Sequence, residues 1–268
     1  VRHLRQLAAR NTPLGEIAHF LGGGVYDHYA PAMVDQVLLR SEFYTAYTPY
    51  QPEVSQGTLQ AVFEFQTLVS QLMEMDVANA SLYDGASAVA EAVLLVDRLQ
   101  RKGPTRVLVS EGINPEIMEV LCTYLRYRED IVLEPVPLGA DGCTDLDKLR
   151  EVVAGAAAVA VSYPNYLGCV EDLEEVSAVA AGAKAKLIVT VPDPLAMGML
   201  RGPGAFGADI VCSEGQALGI PPSFGGPGVG LFATKTAYVR KMPGRLVGET
   251  VDQDGKRGYV LTLSTREQ

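Results

Sequence analysis

The apolar positions of this chain change their period partway along it. From Gly57 to Met75, the residues Leu59, Val62, Phe63, Leu68, Val69, Leu72 and Met73 recur at three- and four-residue steps. That spacing gathers apolar side chains on one face and predicts a long helix. A second helix is predicted over Ala86–Gln100, after the turn Tyr83-Asp84-Gly85, with Val89, Val93, Leu94 and Val96 on its apolar side. Short apolar runs then take over at Arg106–Val109, Ile131–Val136, Ala158–Ser162, Leu187–Val191, Asp209–Cys212 and Gly230–Ala233. Helical stretches at Pro115–Tyr127, Leu146–Val153 and Leu173–Ala181 fall between the earlier runs. Strands alternating with helices predict βαβ units and a mainly parallel sheet. Between the last two runs, Pro221, Pro222 and Pro227 stand among glycines and leave no crossover helix. The final strand is therefore predicted antiparallel. The expected fold class is α/β, with a mainly parallel sheet and one antiparallel strand.

The first fifty residues follow neither pattern. Val1–Arg10 reads as a basic amphipathic helix rather than a leader peptide, and Pro31 is placed to open a helix running to about Arg40. We expect an N-terminal helical and extended arm over 1–56 and a large α/β domain over 57–268. The chain has no initiator methionine and ends just after the apolar run Tyr259–Leu263. It is expected to be part of a longer protein, a large domain with part of its N-terminal extension.

Composition narrows the function classes. A net charge of −10 with dispersed basic residues argues against non-specific nucleic-acid binding. No apolar run approaches the ~20 residues of a membrane helix, so no membrane partner is expected. Cys122, Cys143, Cys169 and Cys212 form no C-x-x-C and are expected to be reduced, mostly buried thiols of a cytoplasmic protein without a metal site. The only histidines are His3, His19 and His28. A Ser-His-Asp triad would have to borrow His19 or His28, and nothing in the sequence supports one.

In an open parallel sheet, ligands sit at the carboxyl ends of the strands. Three segments fall there. Gly85, Ala86 and Ser87 open a helix, whose free N–H groups suit a phosphate; the plainer alternative is Asp84 as a helix cap. Asp193 follows a strand, where a carboxylate could hold a pyridinium nitrogen protonated; the alternative is a cap for a helix opened by Pro194. Gln216 sits in the turn after a strand. That place is similar to the one where a large group of enzymes keeps the lysine that forms a Schiff base with pyridoxal phosphate. Glutamine cannot form an imine. Of the seven lysines, Lys102 is at a helix end, Lys148 lies in a polar helix, Lys184 and Lys186 precede a strand, Lys241 and Lys256 sit in turns, and only Lys235 is near a strand's carboxyl end.

Five strings carry a more specific resemblance: FYTAYTPYQPEVSQGTLQAVFEFQT (43–67), DVANASLYDGASAVAEA (76–92), PDPLAMGML (192–200), GADIVCSEGQALGIPPSFGGPG (207–228) and VRKMPGRLVGETVDQDGKRGYVLTL (239–263). Together they resemble the glycine decarboxylase P-protein of the glycine cleavage system, in the form equivalent to its N-terminal half. The resemblance covers nearly the whole chain. It implies a fold-type I pyridoxal-phosphate-dependent transferase-like large domain, followed in the family by a smaller C-terminal domain beyond residue 268. In that family the partner subunit carries the pyridoxal lysine, and the half resembled here has glutamine in the string EGQ-x-LGIP, which Gln216 matches. The implied activity belongs to the pair: decarboxylation of glycine and transfer of its aminomethyl group to the lipoyl arm of H-protein. The implied partners are the pyridoxal-bearing subunit 2 and lipoylated H-protein. No covalent cofactor and no catalytic residue are expected on this chain alone. The sequence departs from the family at Asn114, where a histidine before the proline is common, so Gly85, Ala86, Ser87, Asn114, Asp193 and Gln216 read as a degenerate pocket.

Tyr47, Thr48, Tyr50 and Gln51 lie in a polar, proline-broken segment. In dimers of this fold class one subunit often completes the other's pocket. These four are expected either to line the partner's active site or to serve as an interface strap. Two further readings stand beside the subunit reading: a free-standing, aminotransferase-like pyridoxal enzyme using Lys235, and a non-catalytic scaffold.

Overall fold

The computed structural model describes residues 1–18, 20, 23–100 and 103–263; His19 and Lys102 lie outside the described residues. Three short helices come first: α1 (Arg2–Ala8), α2 (Ala32–Leu38) and α3 (Ser41–Tyr44). The long helix α4 (Gln56–Met73) ends where Glu74 takes a left-handed conformation. After it come β1 (Val77–Ala78), α5 (Gly85–Leu99), β2 (Thr105–Ser110), α6 (Pro115–Leu125) and β3 (Ile131–Val136). Then α7 (Leu146–Val152), β4 (Ala158–Ser162), α8 (Leu173–Gly182), β5 (Lys186–Val191), β6 (Ile210–Glu214) and β7 (Gly230–Thr234) complete the main body. A hairpin of β8 (Leu246–Val251) and β9 (Arg257–Thr262) follows.

The sheet has seven strands in the order β1-β7-β6-β5-β4-β2-β3. Only β7 runs against the others: it pairs antiparallel with both β6 and β1. The expected parallel sheet with one antiparallel strand is thus the observed one. The edge strand β1 has two residues, too few for any period to reveal.

Alternation along the strands sorts side chains to two faces, each covered by helices, as a parallel sheet requires. Leu108, Val159, Val161, Leu187, Val189, Val211 and Leu231 pack with Val69 and Met73 of α4, Leu149 of α7 and Val176 of α8. Val107, Val109, Ala160, Ile188, Ile210, Cys212 and Phe232 pack on the other face with α5 and Leu121 of α6. Helix α5 is buried on most sides, including Ala88, Ala92, Val93, Leu95 and Val96. Its small residues let it lie close to the sheet beneath α6.

Two helical expectations change. Leu68 points to solvent, and the buried face of α4 includes Gln66 instead. Gln66 Nε2 donates to the carbonyl of Val247 at 3.0 Å, and its Oε1 accepts from Val247 N at 2.9 Å. Gln56 treats Tyr259 the same way, with both bonds at 2.8 Å. Each glutamine amide thus replaces a β-partner, which satisfies buried polar groups that an apolar face could not. The Asp193-Pro194 opening produces only the 3₁₀ turn Pro194–Gly198.

The cysteines also differ from expectation. Cys212 is buried, but Cys143 and Cys169 are half-buried, and Cys122 is exposed on the side of α6 away from Leu121 and Leu125. Burial, reinforced by Glu171, pushes the Cys143 thiol up to about 11, and burial alone raises Cys212 further. Because the thiolate is the nucleophile, iodoacetamide at mildly alkaline pH should label Cys122 well before Cys143 or Cys212, as peptide mass spectrometry would show. Phe232 is fully buried at the centre of β7. Phe232→Ala should lower the unfolding free energy by about 3–5 kcal/mol in a denaturant titration.

Candidate functional site

A cavity of about 560 Å³ opens at the carboxyl ends of β5 and β6, against the N-termini of α5 and α6. Its walls include Gly85, Ala86, Asn114, Thr190, Glu214 and Gln216, with Gly23–Val25 reaching in from the N-terminal segment. Of the expected pocket residues, Gly85, Ala86, Asn114 and Gln216 line it, whereas Ser87 and Asp193 do not.

Ser87 is held inside a capping box. Its backbone N–H donates to Asp84 Oδ1 at 2.7 Å, and its Oγ accepts from Asp84 N at 3.2 Å. The cap reading of Asp84 is therefore correct. It leaves the N–H of Gly85 free, and that group donates to Glu214 Oε2 at 2.8 Å. The second oxygen, Oε1, accepts from Gln216 N at 2.9 Å and from Val229 N at 3.0 Å. One carboxylate thus gathers three N–H groups from α5, the turn after β6 and the approach to β7. The backbones are too close for side chains here. A Cβ on Gly85 would lie 2.9 Å from both Cβ and N of Glu214, and one on Gly228 would lie 2.9 Å from both carboxylate oxygens.

Gln216 is almost fully buried. Its Nε2 donates to the carbonyls of Tyr26, at 3.1 Å, and of Ile220; its Oε1 accepts from Tyr26 N at 3.4 Å. Its amide is spent on the chain itself. Asn114 caps α6 by accepting from Glu116 N at 2.9 Å and donates to the carbonyl of Gly23. Asp193 accepts from Leu195 N at 2.9 Å, which makes it a turn cap. Its other oxygen lies 3.2 Å from His28 Nε2, although that nitrogen is not aligned for a hydrogen bond. Residues 23–28 therefore touch Asn114, Gln216 and Asp193 in turn.

These contacts do not fit a covalently held pyridoxal phosphate. Among the described residues, no lysine lines the cavity. Lys235, the one candidate substitute, follows β7, and because β7 runs antiparallel its carboxyl end lies at the opposite edge of the sheet. There its Nζ donates to the carbonyl of Gly207 at 2.9 Å and to Asp209 Oδ1 at 3.0 Å. The stand-alone reading through Lys235 fails on strand direction.

Tyr47, Thr48, Tyr50 and Gln51 do not reach the cavity of their own chain. Tyr47 is 84% exposed, and Gln51 is also exposed. Tyr50 is held by Arg245, whose Nη2 donates to the phenol oxygen at 3.3 Å and whose guanidinium lies 5.8 Å from the ring centroid. Glu214, although it opens the string EGQ-x-LGIP, and the segment Gly23–His28 were not among the residues expected in the pocket. The signal for Glu214 was its position, a lone carboxylate at the carboxyl end of a buried strand.

The strand order, the reversed β7 and the cavity at the turn after β6 define the class: a fold-type I pyridoxal-phosphate-dependent enzyme fold. A sphingosine-1-phosphate lyase from Burkholderia pseudomallei superposes over 98% of this chain and 64% of its own, with a TM-score of 0.64 at 15% identity. A cysteine desulfurase from Thermococcus onnurineus covers 97% and 64%, with a TM-score of 0.63 at 19% identity. At those identities the likeness shows the fold alone. The chain belongs to the glycine cleavage system P-protein family, whose model matches residues 1–268. Probable glycine dehydrogenase (decarboxylating) subunit 1 of Staphylococcus haemolyticus is 53% identical over 270 residues, and its counterpart in Bacillus thuringiensis is 54% identical. All of this chain is aligned with each, and it spans 59% of their length. The crystal structure of an inhibitor-bound glycine decarboxylase (P-protein) of the glycine cleavage system has a TM-score of 0.90 at 50% identity. It covers 98% of this chain and 58% of its own.

Gln216→Ala removes both ends of the tie to Tyr26. It should lower stability by about 1–3 kcal/mol and speed amide exchange at Tyr26, as hydrogen–deuterium exchange would report.

Proposed function

We propose that this chain is part of the subunit of glycine decarboxylase that lacks the pyridoxal lysine. With the pyridoxal-bearing subunit 2 it would decarboxylate glycine and pass the aminomethyl group to the lipoyl arm of H-protein. The observation that carries the reading is Gln216, an amide saturated by Tyr26 and Ile220 where this fold class keeps its amine. The cofactor of the pair, pyridoxal phosphate, then resides on subunit 2, where it serves as the sink for electrons released by decarboxylation. No step of that chemistry runs through the cavity of this chain, and the assembly is proposed to work in the cytoplasm.

What this chain contributes is surface and positioning. We assign residues 1–56 to an arm that lies against the partner and residues 57–268 to the body that presents it. Helices α1, α2 and α3 bury none of their residues. Met33, Leu38, Leu39, Tyr44 and Tyr47 are more than half exposed. Apolar side chains clustered so densely on an otherwise polar surface mark a covered face. Tyr47, Thr48, Tyr50 and Gln51 are the residues proposed to line the partner's active site or its entrance. Arg245 positions Tyr50 for that role.

The test is reconstitution of the full-length protein with subunit 2. Glycine–bicarbonate exchange should require both chains, and borohydride reduction should fix pyridoxal to subunit 2 alone. Exchange by subunit 2 without its partner would favour the scaffold reading instead. In the reconstituted pair, Tyr50→Phe should slow exchange by about tenfold, or 1.4 kcal/mol of barrier, with the unfolding midpoint of this chain held. Unchanged exchange would assign Tyr50 to the strap.

A further inference from the structure

We propose that Glu214 is a built-in anion: its carboxylate takes the place of a cofactor phosphate and closes this pocket to phosphate-bearing ligands. The proposal rests on the reading that this chain is the member of the pair without pyridoxal, and it says how that state is enforced. The free N–H at the start of a long helix is an anion site, and α5 is fifteen residues long. In this chain the site is filled from within. Glu214 Oε2 takes the Gly85 N–H at 2.8 Å, and Oε1 takes those of Gln216 and Val229 at 2.9 and 3.0 Å. The glycines around the carboxylate fit it closely, since even a methyl group at Gly228 would press on both oxygens. A phosphate entering here would meet a fixed negative charge and no unspent donor among these three.

The loss of the amine at position 216 and the filling of the anion site are separate events in the chemistry. A pocket with only the first would still hold pyridoxal phosphate non-covalently by its phosphate. Glu214 removes that option. The hydrogen bonds of Asn114 to Gly23 and of Gln216 to Tyr26 complete the closure from the other side.

The experiment is thermal unfolding of the full-length protein in inorganic phosphate against chloride at matched ionic strength, for the wild type, Glu214→Ala and Glu214→Gln. Phosphate stabilises many folded proteins without a site, so the reading is the difference between variant and wild type. Glu214→Ala should melt lower than wild type and recover by roughly 3 °C or more in about 50 mM phosphate, while the wild type shows no gain of that size. Glu214→Gln, which keeps the volume but loses the charge, should melt lower and recover nothing, because the amide still fills the cradle. If Glu214→Ala does not fold, its refolding yield in phosphate against chloride gives the same answer. An equal response in wild type and Glu214→Ala, or none in the latter, would overturn the proposal. Borohydride trapping of pyridoxal on this chain would instead overturn the subunit reading beneath it, so the two failures are distinguishable.

Discussion

Where α5 meets the ends of β6 and β7, the backbones approach so closely that side chains are excluded. A Cβ on Gly230 would lie 2.3 Å from the carbonyl oxygen of Asp84, and one on Gly85 would touch Glu214 at 2.9 Å. This contact sets how the buried helix sits on the sheet, and through it the two packed faces. It also forces the strand ends and the helix start to share one patch of unpaired N–H groups. Such groups must find acceptors when buried. In an enzyme of this fold a ligand phosphate can supply them, and here a carboxylate two residues from the position of the missing amine does. The shape of the cavity and its chemistry therefore have a single origin.

The remainder of the molecule divides by what it buries. From α4 onward nearly every element has a covered face, and the hairpin β8–β9 is stitched to α4 through Leu59, Val247 and Tyr259. The segment before α4 behaves differently: it sends residues 23–28 into the cavity and leaves its short helices uncovered. A chain of this length has ample core without those helices. Their apolar side chains make physical sense as half of an interface, which is how the divided enzyme reading and the surface agree.

Most of the fold was legible in the hydrophobic pattern because its strands are buried on both faces and its helices on one. Period and proline placement together indicated the reversal of β7 and every strand of the main sheet except β1. What escaped was set by tertiary partners. Gln66 is buried because Val247 faces it, and Leu68 is exposed because the helix turns to allow this; neither follows from a helical period. The site was half legible. Gln216 stood out as a missing amine, and Asp84 read correctly as a cap. Asp193 turned out to cap a 3₁₀ turn and Ser87 to complete the capping box of α5, and the role of Glu214 depends on three N–H groups that come from distant parts of the chain. Lys235 misled because the carboxyl end of a strand faces the cavity only where the strand runs with the rest of the sheet, and β7, antiparallel as its proline-rich approach indicated, runs against it.

The glutamine amides at positions 56, 66 and 216 share one trait, a donor and an acceptor on the same planar group, and each uses both against a stretch of main chain. For Gln216 this has a consequence for substitution. Lysine at that position would carry donors only, and would leave the N–H of Tyr26 without its acceptor inside a cavity already occupied by Glu214. A variant given the amine would thus have a loosened N-terminal segment and an anion cradle already filled by Glu214 before it gained any chemistry. To hold a pyridoxal phosphate through position 216, this chain would need at least two coordinated changes, one at Gln216 and one at Glu214.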